Sequence, residues 1–200
     1  MQLGLTGGIG AGKSTVSAIF SKLGCLVYNS DLRAKWLMKN NHDLKKSIID
    51  LFGPKSYLGN NLNRSFISSV VFEDNLMLGK LNSLVHPYVA KDYQRFILSN
   101  QNAEIVVKEA AILIESGIHD EMDLIVLVVS KKENRIQRVI KRDRSDFKKV
   151  QQRIDQQMND HDKSKYADFV IDNDGTIAEL EDKVKTFHKI ITLKHSKDKD

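Results

Sequence analysis

The sequence predicts an α/β fold: a parallel sheet flanked by helices, interrupted by an inserted helical lobe. Three observations predict it. Strand-length apolar runs alternate along the chain with amphipathic helical stretches, the pattern of βα units. Leu124 to Val129 is an almost continuous apolar run, as expected of a strand buried on both faces of a parallel sheet. Near the N-terminus a strand, a glycine-rich turn and a helix succeed one another, the turn reading Gly-Gly-Ile-Gly-Ala-Gly-Lys-Ser from Gly7 to Ser14.

Each element has its own justification. Leu3-Gly4-Leu5 predicts the first strand. Val16, Ile19, Phe20 and Leu23, at i, i+3, i+4 and i+7, predict the helix after the turn, and Gly24 stops it. Leu26-Val27-Tyr28 predicts a second strand. Leu44, Ile48, Leu51 and Phe52 form the apolar face of a helix that Gly53-Pro54 ends, and Gly59-Asn60-Asn61 marks a turn. Ser65 is expected to cap a helix carrying Phe66, Ile67, Val70 and Val71. His86-Pro87 is expected to open another, with Pro87 in its first position. Ile105-Val106-Val107 predicts a third strand, ending at Lys108-Glu109; a charged helix is expected over roughly 133–143. Asp168-Phe169-Val170-Ile171 predicts the last strand, before the turn Asn173-Asp174-Gly175-Thr176 and a terminal helix.

The Gly7–Ser14 turn fits the phosphate-binding template G-x-x-x-x-G-K-[ST], a P-loop, and so names a nucleoside triphosphate and a metal as ligands. Gly8, Gly10 and Gly12 let the loop amides, those of Ile9 and Ala11 among them, turn toward phosphate oxygens without a Cβ in the way. The helix beginning near Lys13 points the positive end of its dipole at the same anion. Lys13 is expected to reach the β- and γ-phosphates, and Ser14 to offer its hydroxyl to Mg²⁺, with Thr15 next in line. The bland alternative is a glycine turn without a ligand; the flanking strand and helix weigh against it.

Bulk properties narrow the class. The 200 residues suit one compact domain with an insertion. A net charge of +5 suits a protein that holds phosphates as well as one that binds nucleic acid. The lone Cys25 excludes an internal disulfide framework and fits a reducing, cytoplasmic compartment. No run is long and apolar enough to span a bilayer, and because the first strand is expected to begin at once, no signal peptide is expected. The polar segment Lys194 to Asp200 is expected to fray.

Further candidates surround a second substrate. Asp31, just beyond the second strand, can orient an alcohol and accept its proton, or simply cap a helix before Leu32. Glu109 and Glu115 can each hold Mg²⁺ through water or position the nucleophile; Glu115 is otherwise a surface residue before the Ser116-Gly117 turn. Arg135, Arg138 and Arg142 share one helix face, with Arg144 close by. They read as a mobile cover bringing guanidinium groups to the transferring phosphoryl, or as a solvated basic face. Arg142 stands out because Asp143 beside it can fix its orientation. Arg64 and His86 can each bind a phosphate of the second substrate, or be a surface residue and a helix cap. His161 and the other histidines lack metal-ligand spacing.

Together these residues resemble the dephospho-CoA kinase family over nearly the whole chain, from Gly4 to about Thr176. Gly4-Leu5-Thr6-Gly7-Gly8-Ile9-Gly10-Ala11-Gly12-Lys13-Ser14-Thr15 is similar to the family signature. Asp31 falls at the second aspartate of its Asp-Ala-Asp motif. Leu62-Asn63-Arg64 with Val71-Phe72 resembles its Leu-Asp-Arg … Val-Phe segment, and His86-Pro87 its His-Pro pair. Ile112-Leu113-Ile114-Glu115 resembles the end of Pro-Leu-Leu-Phe-Glu. Arg142-Asp143, Arg153-Ile154 with Gln157-Met158, and Ala167 to Asn173 are similar to its lid and final-strand motifs. Three positions depart: Asn29 replaces the first aspartate, Ala111 a proline, and Glu109 an aspartate. The first concentrates the role of base on Asp31; the last keeps a carboxylate with a longer reach.

The resemblance implies ATP-dependent phosphorylation of the ribose 3′-hydroxyl of dephospho-CoA, giving CoA and ADP. It implies ATP on the P-loop from Gly8 to Thr15, with Arg142 toward the phosphates and Asn173 and Gly175 near the adenine. Thr6, Asp31, Arg64, His86 and Glu109 would serve the acceptor. The implied organisation is a P-loop core (1–28, 102–134 and 166–193), a helical substrate-binding lobe (29–101), a lid (135–165) and a flexible tail (194–200). The protein is expected to be a monomer or weak homo-oligomer acting on a small molecule, with no nucleic acid or membrane partner. Another small-molecule kinase, for a nucleoside monophosphate or a sugar acid, is the main alternative. A GTP switch lacks its Asn-Lys-x-Asp motif, and the basic residues are not interleaved with aromatics as a single-strand nucleic-acid binder requires.

Overall fold

The computed structural model describes residues 1–197, without the side chains of 72, 73, 75, 196 and 197. In chain order the elements are β1 (Gln2–Thr6), α1 (Lys13–Lys22), β2 (Leu26–Asn29), α2 (Ser30–Asn40), α3 (His42–Phe52), β3 (Tyr57–Leu58), β4 (Asn61–Leu62), α4 (Arg64–Glu73) and α5 (Asn75–Leu98). There follow β5 (Val106–Glu109), β6 (Leu124–Val129), α6 (Lys132–Asp143), α7 (Phe147–Asp155), α8 (Asp160–Ser164), β7 (Phe169–Asp172) and α9 (Ile177–Lys197). The chain divides into two compact units. One comprises Met1–Asn29 and the chain from Asn102 onward; the other is Ser30–Gln101.

The first unit is built on a five-stranded sheet in the order β2-β5-β1-β6-β7, all neighbours parallel. Leu3 and Leu5 point to one face and, with Val107, Val126 and Val128, meet Val16, Ile19 and Phe20 of α1 and Leu180, Val184, Phe187 and Ile191 of α9. Each such fully buried side chain contributes about 1.5–3 kcal/mol. The alternate positions of the strands serve the opposite face, where Ile125 packs with Ala110 and Leu113. That double burial is why the β6 sequence is apolar throughout. In a parallel sheet all carboxyl ends lie along one edge, so Thr6, Asn29, Glu109, Val129 and Asp172 share it. The chain runs to opposite sides of β1, first toward β2 and β5 and later toward β6 and β7. The carboxyl end of β1 is therefore the switch point where such sheets bind ligands.

In the second unit, α2, α3 and α4 pack on the long α5. Arg33 of α2 forks onto Asp92 of α5, with Nε and Nη2 donating over 2.7 and 2.6 Å. The β3–β4 hairpin carries the turn expected at Gly59. Two local expectations are corrected here. Asn63, not Ser65, caps α4: its Oδ1 accepts from Phe66 N, while Ser65 Oγ donates to that same oxygen. His86-Pro87 opens no helix, because Asp74 already caps α5 and Pro87 lies inside it. The tertiary packing of α5 outweighs the loss of one helical hydrogen bond at Pro87. Lys194 to Lys197 continue α9 rather than fraying; the rest of the expected tail, 198–200, lies outside the described residues. Among the described residues no helix is long and apolar enough to cross a membrane.

Candidate active site

The turn from Gly7 to Gly12 joins the carboxyl end of β1 to the amino end of α1. Gly12 stands immediately before α1 at φ 104°, a left-handed conformation that glycine tolerates, and a Cβ there would collide with the Asn173 side chain. At Gly8 a Cβ would strike the Arg135 guanidinium. Only glycine lets the neighbouring chain approach so closely. Lys13 is 9% exposed, and its ammonium donates to Gly7 O at 2.8 Å and Gly8 O at 3.4 Å. The amides of Ile9 and Ala11, expected to face phosphate, donate instead to Gln157 Oε1 at 2.8 Å and Gly8 O at 3.1 Å. The first turn of α1, the remaining loop amides and this ammonium form an electropositive cradle suited to a phosphate chain.

The surrounding strand ends add polar groups. Thr6 is fully buried, and its hydroxyl has no partner among the described residues, an orphan donor at the mouth of the loop. Glu109 is 5% exposed; its Oε2 accepts from Ser17 Oγ at 2.6 Å and from Asn29 Nδ2 at 2.8 Å. Asn173 donates from Nδ2 to Ala11 O at 2.7 Å, which ties the turn after β7 to the loop. Gly175 lies in that turn, just before Thr176 and Glu179 exchange reciprocal capping hydrogen bonds at the start of α9.

Ser14 and Thr15 sit in the first turn of α1, Ser14 exposed with its hydroxyl uncommitted. No group of three or more His, Cys, Asp or Glu able to hold a metal occurs among the described residues. This donor set does not cage a cation by itself. It fits Mg²⁺, which keeps several waters and binds through substrate phosphates with one or two protein oxygens.

The arginines of α6 do not act as one face. Arg135 is 7% exposed; its Nε donates to Ile9 O at 3.0 Å and its Nη1 to Asp160 Oδ2 at 3.0 Å. Arg138 donates to Asn173 O at 2.7 Å, Ser130 Oγ at 3.1 Å and Gly10 O at 3.4 Å. Both are committed to backbone carbonyls around the loop. Arg142 alone of the three is exposed, and it forks onto Asp143 with Nε and Nη2 at 2.7 and 3.0 Å, a carboxylate it shares with Arg153. Glu115 is no free surface residue: it pairs at 2.9 Å with Lys163, which is fully buried. Gln157, Asp160 and the partnership of Asn29 with Glu109 went unread as site features in the sequence. Only the appearance of Gln157 in a family-like motif hinted at one of them.

Asp31, Arg64 and His86 belong to the second unit. Asp31 lies in the first turn of α2, exposed, and its carboxylate accepts no hydrogen bond among the described residues, so it is not spent as a cap. Arg64 lines a pocket of about 270 Å³ with Lys35, Met38, Lys39, Asn61 and Leu62. None of its three cations has a hydrogen bond or ion pair among the described residues, which makes the pocket attractive to an anion. His86 is half-buried, and burial lowers its pKa, so at neutral pH it offers a hydrogen bond rather than a charge.

Comparison with known proteins adds a family. The sequence model described as dephospho-CoA kinase matches residues 1–179. A dephospho-CoA kinase of Bacteroides fragilis is 36% identical over 175 residues, 88% of this chain and 85% of that one. Among solved structures, TT1252 from Thermus thermophilus superimposes with a TM-score of 0.82 at 31% identity, covering 94% of this chain and 96% of the other. The dephospho-CoA kinase of Campylobacter jejuni gives a TM-score of 0.68 at 25% identity, with 95% and 96% coverage.

Proposed function

The chain belongs to the dephospho-CoA kinase family and phosphorylates dephospho-CoA with ATP in coenzyme A biosynthesis; from that premise we propose how its own residues divide the work. The amides of Gly10, Gly12, Lys13 and Ser14 and the Lys13 ammonium hold the β- and γ-phosphates. Asp31 orients the ribose 3′-hydroxyl and takes its proton. The 3′-oxygen bonds to the γ-phosphorus while the bond from that phosphorus to the β–γ bridging oxygen breaks, leaving ADP. Lys13 and Arg142 offset the charge that moves onto the leaving group. Ser14 would hold Mg²⁺, which when bound neutralises phosphate charge. Glu109 fixes the end of β5 through Ser17 and Asn29, and its carboxylate, with the Thr6 hydroxyl, serves the acceptor.

The acceptor is held by the lobe 29–101, with Arg64 engaging its phosphates; the cationic pocket shared with Lys35 and Lys39 supports this. Asn173 and Gly175 lie near the adenine, supported by the hold of Asn173 on the loop carbonyl of Ala11. The segment 135–165 acts as the lid, closing to exclude water. The reading further places the enzyme in the cytoplasm as a monomer or weak homo-oligomer, acting on small molecules alone.

The observation that carries this assignment of roles is the cradle itself, with Lys13 folded onto Gly7 O beneath the amino end of α1. Purified protein supplied with ATP and Mg²⁺ is offered dephospho-CoA, AMP, CMP and gluconate in parallel, and ADP release is recorded. Dephospho-CoA is expected to be strongly preferred; preference for another acceptor overturns the assignment. Asp31→Asn is expected to lower turnover by about a hundredfold or more with the unfolding midpoint unchanged. Near-normal turnover in that variant removes Asp31 from the role of base.

A further inference from the structure

One loop residue is held from three sides by groups that the transfer chemistry leaves unused. The N–H of Ile9 donates to Gln157 Oε1, just beyond α7, at 2.8 Å. Its carbonyl accepts from Arg135 Nε of α6 at 3.0 Å. Its side chain packs against the apolar cluster of Ile136, Val139, Val150 and Ile154 that joins α6 to α7. Arg135 is itself braced by Asp160 at 3.0 Å, and its backbone approaches Gly10 so closely that a Cβ there would collide with it. Every one of these partners lies in the same unit as the loop.

We infer that Gln157 and Arg135 are positioning residues: they clamp the Ile9 peptide on both its polar edges and so hold the neighbouring amides in the orientation that grips the triphosphate. Arg135 thus acts on the loop rather than on the transferring phosphoryl. A peptide plane fixed at N–H and C=O has lost its freedom to rotate, and rotation of that plane would turn the flanking amides out of the cradle. Because the clamp comes from α6 and the end of α7, the grip on the phosphates and the placement of this helix pair are coupled, and the coupling works in both directions. The inference rests on the reading of the loop as the ATP site.

Arg135 is a poor first probe, since its removal leaves the half-buried Asp160 without its partner. Gln157 is half-exposed and serves better. Gln157→Leu keeps the bulk and removes the acceptor; Gln157→Glu keeps an oxygen for the Ile9 N–H but adds a negative charge. The expectation for Gln157→Leu is a KM for ATP raised about tenfold, an unchanged KM for dephospho-CoA, and faster hydrogen exchange at the Ile9 amide. Gln157→Glu is expected to restore slow exchange at Ile9, while its negative charge weakens ATP binding in a salt-dependent way. If Gln157→Leu leaves the KM for ATP and the Ile9 exchange unaltered, the clamp is wrong. If Gln157→Leu raises the KM for ATP while Ile9 exchange stays slow, Gln157 acts on ATP by another route and the positioning role is overturned. A wild-type protein inactive toward dephospho-CoA would instead defeat the functional reading, while Ile9 exchange still reports on the clamp.

Discussion

Asn29 and Glu109 face each other across β2 and β5 as registered partners, and their chemistry is matched. The Asn29 amide donates to Glu109 Oε2, which also accepts from Ser17. A carboxylate at position 29 would set two negative groups against each other in a nearly dry site. The Asn29 amide thus supplies a donor to the Glu109 carboxylate where a second carboxylate would supply none. Asn29→Asp is expected to destabilise the protein by about 1.5–3 kcal/mol, the worth of a hydrogen bond to a charged group. The double variant Asn29→Asp/Glu109→Gln, which restores a donor-acceptor pair, is expected to recover most of that loss. Urea unfolding of the two variants beside the wild type checks it. At this scale the sequence disclosed the residue types, and it identified 29 and 109 as the odd positions. It could not disclose that they touch, because strand register brings them together.

Asp174 serves the start of α6 from a distant segment, where Lys131, the residue before the helix, offers no side-chain cap. It follows β7 and reaches back to the start of α6, accepting from Ser130 Oγ at 2.6 Å, Lys131 N at 2.9 Å and Asn134 Nδ2 at 2.8 Å. The hydrogen bond from Ser130, followed by those from Asn134 and Lys131, lowers its pKa from 3.8 to about 2. A carboxylate whose folded pKa is depressed stabilises the fold above its ordinary value, and this contribution is lost as pH falls through the folded one. The wild type is therefore expected to be more stable than Asp174→Asn at pH 7, with the gap closing between pH 3.8 and about 2. Unfolding midpoints of both proteins across that range test it. The same element shows the limit of periodicity. The spacing of Arg135, Arg138 and Arg142 placed them on one helix side, yet α6 lies along the loop so that the first two meet carbonyls and only Arg142 reaches solvent.

Across the whole molecule, legibility followed range. The P-loop, the run of β6, the amphipathic α1 and the resemblance to a family could all be read because each is a pattern within a few neighbouring residues. Hydrophobic periodicity and glycine spacing are local consequences of helix and strand geometry. The strand order β2-β5-β1-β6-β7, the tie of Asn173 to Ala11 and the bracing of Ile9 by Gln157 could not be read. The last of these joins residues 148 positions apart. Pro87 and Ser65 were misread for a related reason: local preferences of a few tenths to a few kcal/mol are outweighed when a whole helix is anchored by packing.

By itself, the amino-acid order determined the glycine-rich P-loop pattern and the family to which the chain belongs. The tertiary structure decided which arginines remain available and which groups steady the loop. A chemical motif is written in adjacent residues, whereas a hydrogen-bond partner is settled only when distant segments are folded within 3 Å of each other.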